Sequence, residues 1–525
     1  MKFFIFKRVA EHKFFFMWST TFSVSEKKAL YCAPQPLRTS SLPLSLLDMR
    51  DALAAFPLGA AVVARRPRSR RKPPRAVARQ APGDHDESFG PSLNSVFGEP
   101  YEANDARISH TARPHHPMTA STFFAPSLSL LGVGALRRLE GIVRDAKHKT
   151  ALLITGDRLN DPAGVIPSTT RALVDAGVRV EVYDEVEQNP TTQHVDAARI
   201  MCEEINAECI VSVGGGSCHD VAKLVRGLYG NDTQTVARDL SGVDMCRASP
   251  SALIPHYAVS STATSGSSSE LSRLAIIADP IERCEMSVID HKLTPTVACV
   301  VTAERQGAPQ LIAASGVFAL AHAIEAYLSP ASSPVTDAAA LHSMRLIAAH
   351  LRRAVFDADD ETARTMISYA DYLAGLAFNS AGLGWIACMA NAICAEYITA
   401  PASECAAVLL PHALRYYGGG SETTRELFTD VAEAIGCAGD GTEDVVDACV
   451  LATARLVADL KLPETLRELT ANRKLRMHKK EIPRLALRAL RDTAAVTAAR
   501  GATLGEVESL FFCSWDTPLS KKESC

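Results

Sequence analysis

Along GALRRLEGIVRDA (134–146) apolar positions recur at helical spacing, and the next segment, TALLITG (150–156), is a short apolar run that stops at a glycine. The same order then returns. A helical stretch around Ser168 to Ala176 leads into VRVEVYD (178–184), which alternates apolar and polar residues. Another from His194 to Asn206 leads into ECIVSV (208–213), three glycines and a further helical pattern. Strands alternating with helices predict a parallel sheet covered on both faces. Beyond about Glu304 the strand-like runs cease. Long Ala/Leu-rich segments with apolar residues at i, i+3 and i+4, such as 336–354 and 481–499, predict a helical bundle. The expected organisation is an α/β domain over 119–303 and an all-α helical domain over 304–515, with a tail at 516–525, an extension at 1–118 and no internal repeat.

Composition changes the picture mainly at the N-terminus. With 525 residues, 47% apolar and 22% charged, the chain has the profile of a soluble globular protein. The longest apolar run considered, Leu53 to Ala64, is too short for a membrane span and contains Pro57. Residues 1–80 hold 16 Lys/Arg against 4 Asp/Glu, which leaves 39 against 55 in the remainder, a net of −16. An acidic body repels nucleic acid before any contact forms. From Met49 the chain is Ala- and Arg-rich with Asp51 as its only acid as far as Gln80, the pattern of a mitochondrial transit peptide. The Phe-rich segment before it fits no common address, so translation is expected to begin at Met49. The alternative for Arg65 to Arg79 is a disordered basic tail that binds whatever is acidic. Residues 81 to about 117 read as a linker. The 14 cysteines contain no CxxC pair, which predicts buried reduced thiols in place of a zinc site or a disulfide framework.

The sharpest local signal is Cys209-Ile-Val-Ser-Val213 followed by Gly214, Gly215, Gly216 and Ser217, then Asp220, Ala222 and Lys223 at helical spacing. Glycines between a strand and a helix N-terminus expose backbone N–H groups and the positive end of the helix dipole to a diphosphate. The alternative is a tight turn that needs positive φ; three glycines and a serine favour the phosphate cradle. The spacing is not that of a GxGxxG fingerprint.

VGGGSCHDVAK (213–223) resembles the glycine-rich motif of the iron-containing (group III) alcohol dehydrogenases. FFAPSLSLLGVGAL (123–136), NPTT (189–192), SGSSSELSRLAIIAD (265–279), SGVFALAHAIEAYLS (315–329), SPVTDAAALHSMRLI (333–347), AGLAFNSAGLG (374–384) and LPETLREL (462–469) continue the resemblance collinearly from about 120 to 515. It implies the dehydroquinate-synthase-like architecture: a dinucleotide-binding parallel-sheet domain, a helical domain, and hydride transfer in the cleft between them. Carried over by position, Gly214, Gly215, Gly216 and Ser217 hold the pyrophosphate and Asp220 belongs to the same cofactor site. Thr264, Ser267 and Lys292 lie along NAD or NADP, with Asn189 nearby. NAD-preferring relatives carry an acid where this chain has Gly156, so NADP becomes plausible, with Asp157 one residue on leaving the choice open. In the second motif Ser268 replaces a glycine and is expected to crowd the nicotinamide end.

The same resemblance implies a divalent iron or zinc ion held by one Asp and three His. The matching positions here are Phe318, His322, Ala387 and the Ala402 of Pro401-Ala402-Ser403, and a further cleft histidine is Asn391. One ligand of four remains, so the metal site is expected to be lost. Cys388, Cys394, Glu396, Glu404, Cys405 and His412 lie in the right stretch. Cys388 would point about 100° away round a helix, and His412 matches a segment outside the metal shell. His322 is the candidate catalytic proton donor, its alternative being a core histidine. The maleylacetate reductases resemble this fold and work without metal, though their cleft keeps polar residues absent here. The expected protein is a metal-independent NAD(P)-dependent oxidoreductase of a small alcohol or carbonyl. The alternatives are a fold-retaining pseudoenzyme in the mitochondrion and, last, an iron enzyme with displaced ligands. Its expected partners are dinucleotide and small substrate, with no nucleic acid and no membrane span, and a homodimer is left open.

Overall fold

The computed structural model describes residues 121–156, 164–230, 235–260, 267–281, 284–301, 308–439 and 444–520. The transit segment from Met49, the linker at 81–117, Asp157 and Thr264 lie outside them. In the α/β half, strands β1 (Leu128–Leu131), β2 (Thr150–Ile154), β3 (Arg179–Tyr183), β4 (Cys209–Gly214), β6 (His256–Ser260) and β9 (Val297–Val300) form one sheet in the order β1-β9-β6-β4-β2-β3, parallel throughout. Alternation decides what each strand faces. Leu152, Ile154 and Ile210 point to helices α3 (Thr192–Glu204) and α4 (Gly216–Tyr229), against Val195, Cys202 and Leu224. Ala151, Leu153, Val211 and Val213 point the other way, to α1 (Ala135–Ala146) and α2 (Val165–Asp175), against Leu139, Val143 and Leu173. Both faces are dry, hence the near-continuous apolar runs.

The chain leaves β2 outward to β3, returns to β4 on the other side of β2, and continues outward to β6. The order therefore reverses between β2 and β4, and a crevice opens there at the carboxyl ends of the strands. Gly156 and Gly214–Ser217 follow those two ends. A second sheet of three strands, β5 (Gly242–Val243), β8 (Cys284–Ile289) and β7 (Leu274–Asp279), stands beside the first, with β7 and β8 antiparallel. The sequence reading does not single out this hairpin, whose two six-residue strands bury alternate residues.

Helices α5 (Pro309–Leu328), α6 (Pro334–Phe356), α7 (Glu361–Ala381), α8 (Trp385–Glu396), α9 (Ala402–Gly418), α10 (Glu422–Ile435), α11 (Val445–Asp459), α12 (Leu466–Asn472), α13 (Ile482–Ala489) and α14 (Leu504–Asp516) build the second half around a single apolar cluster. Two expectations change. Helix α5 is long and apolar enough to cross a membrane, with mean hydropathy 1.6, but 89% of that window is buried inside the protein. The helix is apolar all round because helices and loops cover every side of it. The 481–499 segment is also not one helix. It breaks after α13, and Asp492, accepting from the Ala494 N–H at 2.9 Å, starts a separate 3-10 turn, Thr493–Thr497.

Candidate active-site cleft

The glycine loop joins β4 to α4. Gly214 has φ 150°, and a Cβ there would stand 2.6 Å from Cys218 Sγ. A Cβ on Gly216 would stand 2.6 Å from Ser267 Oγ. Around Gly215, however, a Cβ would meet nothing within 4 Å. Gly214 and Gly216 are thus required by packing, whereas Gly215 keeps an open approach to the first turn of α4, where N–H groups have no intrahelical acceptor. Ser267 Oγ is buried beside this loop without a hydrogen-bond partner. An open helix N-terminus with an unused hydroxyl at its flank fits a diphosphate.

The other assigned residues divide. The Asp220 carboxylate is taken up by the protein: Oδ2 accepts from the Ile276 N–H at 3.1 Å, and Oδ1 accepts from Ser269 and from Lys223. Lys223 is fully buried and also donates to Ser269 Oγ (2.6 Å), Ser272 Oγ (3.1 Å) and the Leu274 carbonyl (2.6 Å). Burial pushes the Asp220 pKa up and the Lys223 pKa down, and each opposes the shift of the other. Asp220 is therefore a tie between α4 and β7 that also lines the cleft. Lys292 is absent from the cleft lining. Its ammonium donates to the Cys246 carbonyl at 2.5 Å, and its backbone N–H to Asp290 at 2.9 Å. Asn189 donates to the Ile398 carbonyl at 2.5 Å and so links the NPTT loop to the helical half. At Gly156 a Cβ would come 2.9 Å from the Val186 carbonyl oxygen, so close backbone packing holds that position to glycine.

Ser268 does not crowd the cleft. With φ 45°, its side chain turns into α7, where Oγ lies 2.8 Å from both the Asp371 carbonyl and Asp371 Oδ1. Gly375 makes the room: a Cβ there would stand 2.3 Å from that of Ser268. The departure at 268 is accommodated by its neighbours on the opposite domain.

Between the halves lies a cavity of about 420 Å³, reached by Ser267, Phe318, His322, Phe378, Ala387 and Asn391. His322 is buried between two rings, Phe318 at 4.1 Å and Phe378 at 4.9 Å between centroids. The Asn391 amide donates to Asp492 Oδ2 at 2.8 Å. One turn of chain below, Glu325 receives the Gly384 and Ile386 N–H groups (3.0 and 2.7 Å) and the Tyr417 hydroxyl (2.7 Å), which fixes the start of α8. Burial raises its pKa to about 7 against those hydrogen bonds. The remaining donors of the stretch are engaged elsewhere. Glu404 binds Arg473, Glu396 binds Arg484 and Arg488, Cys394 Sγ points to the Ala400 carbonyl, and the Cys388 thiol is pushed well up by burial. Burial lowers the His412 pKa to about 4, as expected of a packed imidazole. Among the described residues, a group of three potential metal donors occurs at Asp244, Asp290 and His291, on the small sheet.

Sequence reasoning missed Lys223 as the buried hub of the loop, and Asp371, Phe378 and Glu325 as cleft supports. Lys223, Phe378 and Glu325 lay within the quoted motifs and Asp371 just before one, but only contacts separated by 46 to 103 positions reveal their roles.

An α/β domain with a glycine loop at the switch point, facing a helical domain across a cleft, defines a two-domain nucleotide-type architecture. Residues 126–302 match the iron-containing alcohol dehydrogenases and residues 312–515 the C-terminal part of the Fe-containing alcohol dehydrogenase family. The chain is 35% identical over 352 residues to alcohol dehydrogenase 4 of Saccharomyces cerevisiae (strain YJM789), covering 66% of this chain and 87% of that one. Against 1,3-propanediol dehydrogenase of Citrobacter freundii it is 33% identical over 393 residues, 74% and 97% of the two chains. A solved 1,3-propanediol oxidoreductase is similar with a TM-score of 0.69 at 30% identity, covering 76% of this chain and 100% of that one. An alcohol dehydrogenase from Oenococcus oeni gives 0.69 at 28%, covering 75% and 100%. The chain belongs to the iron-containing alcohol dehydrogenase family.

Proposed function

We propose that this protein is an NAD(P)-dependent oxidoreductase that interconverts a small alcohol and its carbonyl without a resident metal ion. One contrast carries the reading: the glycine cradle keeps its open face at Gly215, while the four ligand positions offer a single donor, His322. One imidazole does not chelate iron or zinc, which take about four ligands, and Phe318 places an apolar ring where a carboxylate would balance the cation. The residues present therefore do not fit the family's metal.

They do fit a dinucleotide. Gly215, Gly216, Ser217 and Ser267 would hold its pyrophosphate, and the bound nicotinamide supplies or accepts the hydride. Gly156 presents no side chain to repel a 2′-phosphate, so NADPH is accepted alongside NADH. His322 is a protonatable group at the cavity, with the Phe318 and Phe378 rings tilted against its imidazole. In this reading it donates the proton that the carbonyl oxygen takes up, a role typically worth about 10²–10⁴ in rate. The relatives' printed names include an NAD-dependent methanol dehydrogenase and lactaldehyde reductases, which support small alcohols and aldehydes as the substrate class.

The test is metal analysis of the purified protein together with NADPH- and NADH-dependent reduction of short aldehydes with EDTA present. Less than a tenth of an equivalent of metal and EDTA-insensitive turnover are expected, with His322→Ala lowering kcat at least 100-fold. One metal per chain, or activity abolished by EDTA, overturns it. The burial of His322 between two aromatic rings favours a second reading, a pseudoenzyme that binds nucleotide and turns nothing over. Tight NADPH binding with no aldehyde reduced would establish that instead. We further propose a mitochondrial protein starting at Met49. N-terminal sequencing of the native chain tests this, and peptides between Lys28 and Met49 would refute that start.

A further inference from the structure

A second cavity of about 420 Å³ adjoins the cleft, between β8, α8 and the end of α13. The two share Ser287, Asn391, Asp492 and Thr493, and the Asn391–Asp492 hydrogen bond stands at their common wall. Its far side carries Arg484, Arg488 and Arg491. Arg484 is met by Glu396 (2.7 Å) and Glu481 (3.3 Å), and Arg488 shares Glu396 at 3.1 Å. Arg491 has no carboxylate partner among the described residues. Both oxygens of Asp492 are already used, one by Asn391 and one by the Ala494 N–H.

Glu285 makes this more than a basic surface. Its carboxyl lies on β8 at the wall of the cavity, and Oε2 is buried without a hydrogen-bond partner. Burial, reinforced by the nearby Cys394, Asp492 and Asp220 groups and opposed by Arg488, drives its pKa well above the ordinary carboxylate range. That shift favours the protonated form, which has an O–H to donate. The Arg491 guanidinium without a carboxylate partner among the described residues and the Glu285 carboxyl with an unused oxygen form a recognition pair for a planar anion.

We infer that the second cavity binds the distal carboxylate of the substrate, so that the preferred substrate is a short aldehyde or alcohol bearing a carboxylate a few carbons from the reacting centre. This rests on the oxidoreductase reading above: the reacting carbon lies in the cleft near His322, and the acid end passes the Asn391–Asp492 wall to Arg488, Arg491 and Glu285. A phosphate of the nucleotide is the competing anion. The geometry favours the substrate, because the phosphate cradle is formed by a different segment, at Gly215.

Two measurements on the purified full chain separate this inference from the activity itself. The first compares kcat/KM for succinic semialdehyde and butanal, aldehydes of equal chain length that differ in the terminal acid. The second is calorimetric binding of succinate without nucleotide, which needs no turnover. We expect at least tenfold preference for the acid. Arg491→Ala should reduce that ratio about tenfold, Arg491→Glu should invert it, and succinate binding should weaken in parallel. Glu285→Gln, which stays neutral and can still hydrogen-bond, should hold succinate within about twofold of wild type. Equal kcat/KM for the two aldehydes overturns the anion site and leaves the oxidoreductase standing. Absent turnover with Arg491-dependent succinate binding retains the site and removes the oxidoreductase reading. Loss of NADPH affinity in Arg491→Ala with succinate unaffected assigns the arginines to the nucleotide and overturns the inference.

Discussion

The two ends of one cleft have kept different things. At the glycine loop each small residue has a separate reason: Gly214 must clear Cys218, Gly216 must clear Ser267, and Gly215 clears only space. Around His322, by contrast, the positions that family relatives fill with ligands carry Phe318, Ala387 and Ala402, all apolar. A packed loop resists change because most substitutions there damage the fold as well as the site. A ligand pointing into a cavity resists change only through the ion it binds. Ala387 is buried in the helical core and Phe318 packs against it, and the start of α8 is fixed by Glu325.

The strongest attempt to erase that contrast is to restore the missing donors. Phe318→Asp, Ala387→His and Ala402→His together should give a protein that binds about one divalent ion, read by plasma mass spectrometry after dialysis. If the triple variant folds and binds none, the assignment of those positions is wrong. From the other end, Gly215→Val should weaken NADPH at least 100-fold in a fluorescence titration while moving the melting temperature little, since its side chain enters open space. Gly216→Ala should instead lower stability, because its Cβ meets Ser267. Unchanged affinity in Gly215→Val would reduce the loop to a turn.

A smaller effect sharpens the comparison through pH. Ser212 Oγ lies 2.7 Å from both His219 Nδ1 and His256 Nε2, beneath the loop. The hydroxyl has one proton, so one imidazole accepts from it and the other donates to it, and both rings are held neutral. Burial, with Lys223 nearby, takes the His219 pKa down to about 3, and burial, with Arg226 and His219, lowers His256 well below its ordinary value. Both native pKa values lie below the unfolded value of 6.5. The unfolded chain therefore binds protons that the native state refuses, and their stabilising effect, complete above pH 6.5, is lost as pH falls from there toward 3. Denaturation at pH 7, 6 and 5 should show a decline of up to about 1.4 kcal/mol per pH unit for each imidazole, and His256→Gln should flatten it. A pH-independent midpoint over that range would contradict the pairing. Smallest is Ser268→Ala, which should cost about 1–3 kcal/mol of stability by leaving Asp371 without its hydroxyl, yet change nucleotide affinity less than twofold. A large affinity loss would return Ser268 to the cofactor site.

The pattern of residues along the chain determined the parallel sheet, the helical half and the glycine loop, because each depends on periodicity or on a conformation that few residues adopt. Leu152 and Leu153 announce two covered faces simply by being adjacent and both apolar. The local pattern could not place Lys292 on the Cys246 carbonyl, turn Ser268 into the space left by Gly375, or make Asp220 a tie to β7. It also could not show that Arg484, Arg488 and Arg491, in and just after α13, share a cavity with Glu285. Those outcomes depend on groups separated by tens to hundreds of residues, whose distances and burial exist only once the two halves have packed. Periodicity is a property of neighbours along the chain, whereas the charge on Glu285, the direction of Ser268 and the reach of Arg491 are properties of neighbours in space.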